Sequence, residues 1–267
     1  MTSKKKIAVV TGGAGFIGSN LVDELVRLGH KVIVIDNLST GQLKNLDKVK
    51  NKIEFVNIDI SNSEKSINKY FKNVEWVFHI AGCADIVPSI NNPKSYFQSN
   101  VNGTLNILEA SRENNVKKFI YAASASCYGI PERYPTDEKS KINPQYPYAL
   151  TKNLGEQLIM HWCQLYEIPA VSLRFFNVYG PRSRTSGTYG AMFGTFLKQK
   201  IQNFPFTVVG NGTQKRDFTY VTDVVEGLLL VADKGINKGP IQLGTNEKTT
   251  INQIAEMVME VSGKNIV

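Results

Sequence analysis

The chain has 267 residues, 42% hydrophobic and 20% charged, a composition that excludes a disordered or low-complexity protein and allows a sizeable core. Its longest apolar stretches, such as 224–232 with Glu226 and Gly227 inside it, fall well short of the ~20 residues a membrane span needs. The net charge of +8 is spread over both halves with no basic run interleaved with aromatics, which argues against a nucleic-acid groove and suits a small polyanionic ligand such as a nucleotide.

The first residues, Met1 to Lys6, are basic and run straight into an apolar strand with no cleavage pattern, so the expected location is the cytoplasm. From there strand-like and helix-like segments alternate. Continuous apolar, β-branched runs at 7–10, 32–35, 53–57, 76–80, 119–122 and 170–175 read as strands buried on both faces of a parallel sheet. Helical patterns lie between them at 16–28, 100–113 and 148–166. The expected fold is therefore α/β, a doubly wound parallel sheet followed by a smaller C-terminal substrate-binding region. The boundary is drawn at 176, with 1–176 as the dinucleotide-binding part and 177–267 as the substrate region, some of whose segments return to the first part. In that region a helix is expected near 191–202. Thr222 and Asp223 are expected to cap a helix to Ala232, and Thr250 to precede one over 251–262.

Three cysteines, Cys83, Cys127 and Cys163, are far apart and form no Cys-x-x-Cys, and His30, His79 and His161 show no ligand spacing, so neither disulfide nor metal is expected. The chemistry begins at Thr11-Gly12-Gly13-Ala14-Gly15-Phe16-Ile17-Gly18, directly between the first strand and the first helix. Glycines there permit a tight turn and close backbone approach to a pyrophosphate, whose charge sits at the helix N-terminus. Asp36 follows at the end of the second strand, placed to accept hydrogen bonds from adenosine ribose hydroxyls and to repel a 2′-phosphate, so NAD is expected over NADP.

Tyr148 and Lys152 are four residues apart on one helix face, where a neighbouring cation favours the phenolate and makes a usable general base; alone, such a pair is mostly a solvated helix face. Ser124 and Ser126 follow the fifth strand, at the edge where open α/β sheets bind ligands, although for an isolated serine in Ala-Ser-Ala-Ser small-residue packing is the better account.

These motifs, with Asp36-Asn37-Leu38-Ser39-Thr40-Gly41, Asp59-Ile60, His79-Ile80-Ala81-Gly82, Asn100-Val101-Asn102-Gly103-Thr104 and 174–182, together resemble the extended short-chain dehydrogenase/reductase family. Within it they resemble the NAD-dependent nucleotide-sugar epimerases and dehydratases, UDP-glucose 4-epimerase-like enzymes above all. The resemblance implies a catalytic triad of Ser124, Tyr148 and Lys152 with Ser126 as an accessory hydroxyl. It implies NAD held by Gly12, Gly15, Phe16, Ile17, Asp36, Asn37, Ser39, Gly41, Asp59, Ile60, Ala81, Asn100, Tyr148 and Lys152. Asn177 and Arg216 match positions that grip the substrate's diphosphate, so that a UDP-sugar contacts Ser124, Ser126, Tyr148, Asn177 and Arg216. The implied reaction is inversion at C4′ through a 4-keto sugar.

Dehydratases of this family carry Asp-Glu directly after the catalytic hydroxyl residue, where this chain has Ala125 and Ser126, and the glutamate typical of the decarboxylases is absent too. Epimerisation is the surviving expectation. Family members usually continue for several dozen residues and supply a further arginine to the sugar pocket, so the substrate region is expected to be incomplete. The family also commonly dimerises through the helices at 100–113 and 148–166, and Leu154, Leu158 and Trp162 have the spacing for that face or, equally, for packing on the sheet.

Overall fold

The computed structural model describes residues 5–62, 64–185, 192–234 and 239–261. Expectations that fall on 1–4, 186–191 and 262–267 lie outside the described residues.

Strand β1 (Ile7–Thr11) leads through a glycine turn into helix α1 (Phe16–Arg27), then β2 (Lys31–Asp36) and β3 (Ile53–Asn57). A short helix α2 (Glu64–Ile67) precedes β4 (Trp76–His79), and α3 (Ile86–Asn91), α4 (Pro93–Phe97) and α5 (Gly103–Glu113) lead to β5 (Lys118–Ser124). Helix α6 (Pro147–Tyr166) and β6 (Ala170–Phe175) follow. The remaining described elements are β7 (Asn177–Tyr179), α7 (Met192–Ile201), β8 (Lys215–Arg216), β9 (Phe218–Tyr220), α8 (Val221–Lys234), β10 (Pro240–Leu243), β11 (Thr249–Thr250) and α9 (Ile251–Val261).

Seven strands form one parallel sheet in the order β3-β2-β1-β4-β5-β6-β10. The chain runs outward from β1 to β3 and then returns to β4 on the other side of β1, so the order reverses between β1 and β4. In a doubly wound Rossmann sheet that reversal opens a crevice at the carboxyl ends of the strands, where ligands bind. All six expected strands are present in this sheet. The seventh, β10, went unread because it is a four-residue, half-buried strand carrying a proline, too short for a periodicity signal.

Alternate residues of each strand feed opposite faces of the sheet. On one face Ala8, Val10, Val34, Phe78 and Ile120 pack with Leu21, Val22 and Leu25 of α1 and Val224 and Leu228 of α8. On the other, Val9, Ile33, Val77, Phe119 and Tyr121 pack with Ile107 and Leu108 of α5 and Ile159 of α6. Each fully buried side chain of this size contributes about 1.5–3 kcal/mol. A smaller cluster of Phe196, Ile251, Ile254 and Val258 joins α7 to α9.

Two helix starts differ from expectation. Regular α5 begins at Gly103 and not at Asn100, because 98–102 forms one wide π-type turn that continues α4 and turns the Asn100 side chain inward. Helix α8 begins at Val221, straight out of β9, so Thr222 and Asp223 lie in its first turn and do not cap it; Asp223 there complements the helix dipole. At α9 the Gln253 amide donates to Thr250 Oγ1 at 3.1 Å and the Thr250 amide donates back to Gln253 Oε1 at 2.8 Å, a reciprocal cap that fixes the start.

Candidate active site

Gly12 adopts φ +69°, and a Cβ on it would lie 2.7 Å from the Ala81 amide nitrogen, so the turn after β1 rests directly on the segment leaving β4. The Gly15 amide closes that turn on the Gly12 carbonyl at 3.0 Å. Phe16 and Ile17 then open α1, whose N-terminus has no side-chain cap and no acidic residue in its first turn. The result is a cradle of bare backbone facing a set of helix N–H groups, the environment a pyrophosphate requires.

Asp36, buried at the end of β2, accepts the Ala14 amide on one carboxylate oxygen at 2.9 Å and the Leu38 amide on the other at 2.8 Å. Burial raises its pKa while these two donors oppose the rise. A carboxylate has about four acceptor positions, so two remain for ribose hydroxyls. Gly41 folds over it so closely that a Cβ would stand 2.9 Å from its Oδ1. Asn37 accepts the Ser39 amide at 3.0 Å and donates to Asp59 Oδ2 at 3.2 Å, which joins the loops after β2 and β3. Burial opposes ionisation of Asp59, but hydrogen bonds from Ser61 and Asn37 outweigh it and hold its pKa low. Ile60 beside it is buried, its carbonyl accepting the Asn106 amide at 2.7 Å.

The β4 end is held by a buried chain of hydrogen bonds. Thr104 donates to the Asn100 carbonyl at 2.7 Å and so accepts from His79 Nε2 at 2.9 Å, which leaves His79 Nδ1 to accept from Thr11 at 2.7 Å. His79 is therefore neutral, and burial together with the Lys152 charge lowers its pKa to about 3. Between pH 6.5 and about 3 the unfolded chain binds a proton there that the folded chain does not. Stability from this group is full above pH 6.5 and falls with acidification, by about 2 kcal/mol at pH 5. Urea unfolding across this range is expected to show that one-proton slope, and His79→Gln to lose it.

Asn100, also buried, accepts the Cys83 amide at 2.7 Å and donates to the Cys83 carbonyl and to Thr151, each at 3.0 Å. Its side chain thus pins the segment 81–83 to α6.

Proline at the first position of α6 presets the helix start, and Tyr148 and Lys152 follow on one face. Ser124 ends β5, and its Oγ accepts both the Ser126 amide at 3.2 Å and the Ser126 hydroxyl at 2.8 Å. The hydroxyls of both serines act on the Tyr148 phenol and lower its pKa against burial. Lys152 is buried, donates from Nζ to the Ala122 carbonyl at 2.7 Å and lies 4.7 Å from the Tyr121 ring centroid; burial pushes its pKa down to about 8. The ammonium thus faces a backbone carbonyl. The expected lowering of the Tyr148 pKa by that cation is not what the structure shows: burial raises it, the Ser124 hydrogen bond pulls it back, and Asp85 raises it further.

Ser124 pairs in register with Phe175, so Asn177 stands two residues past it at the same sheet edge. The Asn177 amides donate to the Asp217 carbonyl, at 3.2 Å from the backbone and 2.8 Å from the side chain. Arg216, next to Asp217, is exposed on β8 and donates to the Lys215 carbonyl at 3.3 Å. Three participants were not read from sequence. The Ala122 carbonyl carries no side-chain signal. Tyr96, whose ring meets that of Tyr148 edge-on at 6.4 Å, lay in no assigned element. Asp85 was legible only by position, in the segment leaving β4.

The profile of the NAD dependent epimerase/dehydratase family matches residues 8–244. The chain belongs to this family. Its epimerase/dehydratase relatives include the UDP-N-acetyl-alpha-D-glucosaminuronate decarboxylase of Bacillus cytotoxicus, 32% identical over 97% of this chain and 81% of the relative. A solved UDP-N-acetylglucosamine 4-epimerase from Methanobrevibacter ruminantium M1, in complex with UDP-N-acetylmuramic acid, superposes with a TM-score of 0.94 at 33% identity, covering 98% of this chain and 84% of that one. The UDP-glucose 4-epimerase of Thermus thermophilus, complexed with NAD, superposes at 0.88 with 32% identity over 97% and 84%. The cofactor of this family member is NAD, and the Asp36 carboxylate suits an adenosine ribose without a 2′-phosphate. Among the described residues no helix is long and apolar enough to cross a membrane, and no group of three or more His, Cys, Asp or Glu is placed to hold a metal ion.

Proposed function

We propose that the chain is a nucleotide-sugar 4-epimerase that inverts C4′ of a UDP-hexose in the cytoplasm. The observation that carries this reading is the Ser124, Ser126 and Tyr148 hydroxyl cluster, set beside Lys152 at the crevice edge, with no carboxylate in the turn Ala125–Tyr128 that follows Ser124. A turn without an acid/base pair serves proton exchange at one hydroxyl and does not serve elimination of water.

In this reading Gly12, Gly15, Phe16 and Ile17 cradle the NAD pyrophosphate, and Asp36, Asn37, Ser39, Gly41, Asp59 and Ile60 hold its adenosine. Ala81, Asn100, Tyr148 and Lys152 border the nicotinamide side, Asn100 through its grip on Cys83. Bound NAD would supply a reversible hydride acceptor for C4′, so that the reaction would have no net redox change. Tyr148 Oη takes the 4′-hydroxyl proton and later gives it back. Ser124 Oγ, oriented by the Ser126 hydroxyl, hydrogen-bonds the same sugar oxygen and stabilises the charge that develops on it. Residues 1–176 hold the cofactor, and 177–267, with Asn177 and Arg216, grip the diphosphate.

The partner proposed is a second copy of the chain. Leu158 and Trp162 pack partly on the sheet-side core, but Leu154 and Leu158 also line a surface groove of about 460 Å³ with Phe97, Val101, Gln157 and His161, in which Phe97 is exposed; Leu150, four residues before Leu154 on α6, is exposed too.

Incubating the purified chain with UDP-hexoses and no added cofactor is expected to give the C4′ epimer with no rise in NADH absorbance, from a species of twice the chain mass in light scattering. Accumulation of a keto sugar, of NADH or of carbon dioxide would replace epimerisation with one of the sister reactions.

A further inference from the structure

Asp85 stands in the segment between β4 and α3, at the same sheet edge as the hydroxyl cluster. The carbonyl before it, that of Ala84, accepts the Tyr96 hydroxyl at 2.8 Å, and the Tyr96 ring packs edge-on against Tyr148. Its charge is felt by both phenols and raises both pKa values. Asp85 also has φ +98°, a conformation that L side chains rarely adopt and glycine adopts freely. A side chain is thus retained where the backbone favours none.

The carboxylate is ion-paired with Arg184, which arrives from the segment after β7, far along the chain. Both side chains are partly exposed, 24% for Asp85 and 39% for Arg184, and a pair so placed contributes little to stability. Strained backbone together with a weakly stabilising pair points away from a folding role and toward recognition. A lone arginine here would offer its planar fork to an anionic sugar. Asp85 occupies that fork and leaves acceptor positions for hydroxyls, so a second carboxylate entering beside Tyr148 meets a like charge and finds its natural partner engaged.

We propose that Asp85 sets the charge of the sugar: paired with Arg184 beside Tyr148, it selects nucleotide sugars with a neutral hexose over those with a C6 carboxylate. This rests on the epimerase reading and deepens it by naming the substrate class.

The test compares UDP-glucose with UDP-glucuronate on the full chain, as kcat/KM for C4′ epimerisation and as dissociation constants measured in competition with UDP. Ratios between two sugars in one preparation do not depend on how much of it is folded. The native chain is expected to favour UDP-glucose in both measures. Asp85→Asn, which removes only the charge, and Asp85→Gly, which also relieves the backbone, are expected to move both ratios toward UDP-glucuronate by roughly 10–100-fold. Adding Arg184→Ala to Asp85→Gly is expected to cancel that gain. A native preference for UDP-glucuronate, or ratios that change by less than about twofold in both single variants, overturns the proposal. Absence of epimerisation with either sugar overturns the epimerase reading, and the ratio of dissociation constants then still decides the role of Asp85; failure of both sugars to bind removes both.

Discussion

Tyr148→Phe is expected to retain NAD and the fold while slowing epimerisation by about 10²–10⁴-fold, the usual contribution of a positioned general base. The substitution removes one oxygen and leaves the ring, so the edge-on packing against Tyr96 survives. What disappears is the hydroxyl whose ionisation Ser124 and Ser126 favour. Its protonated form is favoured by burial and by Asp85, so the base must be generated against those two effects, and the serine hydrogen bonds act in the right direction. Single-turnover measurement of C4′ inversion, with NAD content determined on the same sample, checks this. Turnover within about threefold of the native chain would remove Tyr148 from the proton transfer.

The sheet was legible because its strands are buried on both faces, and such strands write unbroken apolar runs into the sequence: 53–57 and 170–175 match the structure to the residue. Helix starts were less legible where tertiary contacts decide them. Asn100 reads as a helical residue, and only the inward need of its amide for Cys83 and Thr151 explains the wide turn that delays α5. The glycine cradle and Asp36 were readable because each needs a particular residue type at a particular strand end. The environment of Tyr148 was not, because spacing shows that Lys152 shares its face but not that the ammonium turns to the Ala122 carbonyl. Likewise no spacing rule brings Asp85 to Arg184, about one hundred residues apart.

Arg174→Leu is expected to destabilise the fold by about 3–5 kcal/mol, the cost of leaving a buried charge without its partner. The side chains of Arg174 and Glu156 are only 5% and 7% exposed, and the guanidinium donates to both carboxylate oxygens while Ser172 donates a further hydrogen bond at 2.7 Å. The surface pairs Arg27–Glu24 and Arg133–Asp137 are expected to matter far less, since water screens them in either state. At about 2–4 °C per kcal/mol for a chain of this size, the midpoint should fall by roughly 6–20 °C.

The loss reaches the site as well. Arg174 Nη1 donates at 2.6 Å to the Tyr128 hydroxyl, which also accepts from Gln242 of β10 at 2.7 Å, and Tyr128 closes the turn that carries Ser126. One guanidinium therefore ties α6, β6 and the serine turn together, with β10 joined through Tyr128. A milder Tyr128→Phe variant separates the two effects: it keeps the ion pair, leaves two donors unanswered, and is expected to lower kcat with a smaller fall in midpoint than Arg174→Leu. Should Arg174→Leu unfold within about 3 °C of the native chain, Glu156 must find another partner or a proton, and the network would not be what holds the serine turn against the sheet.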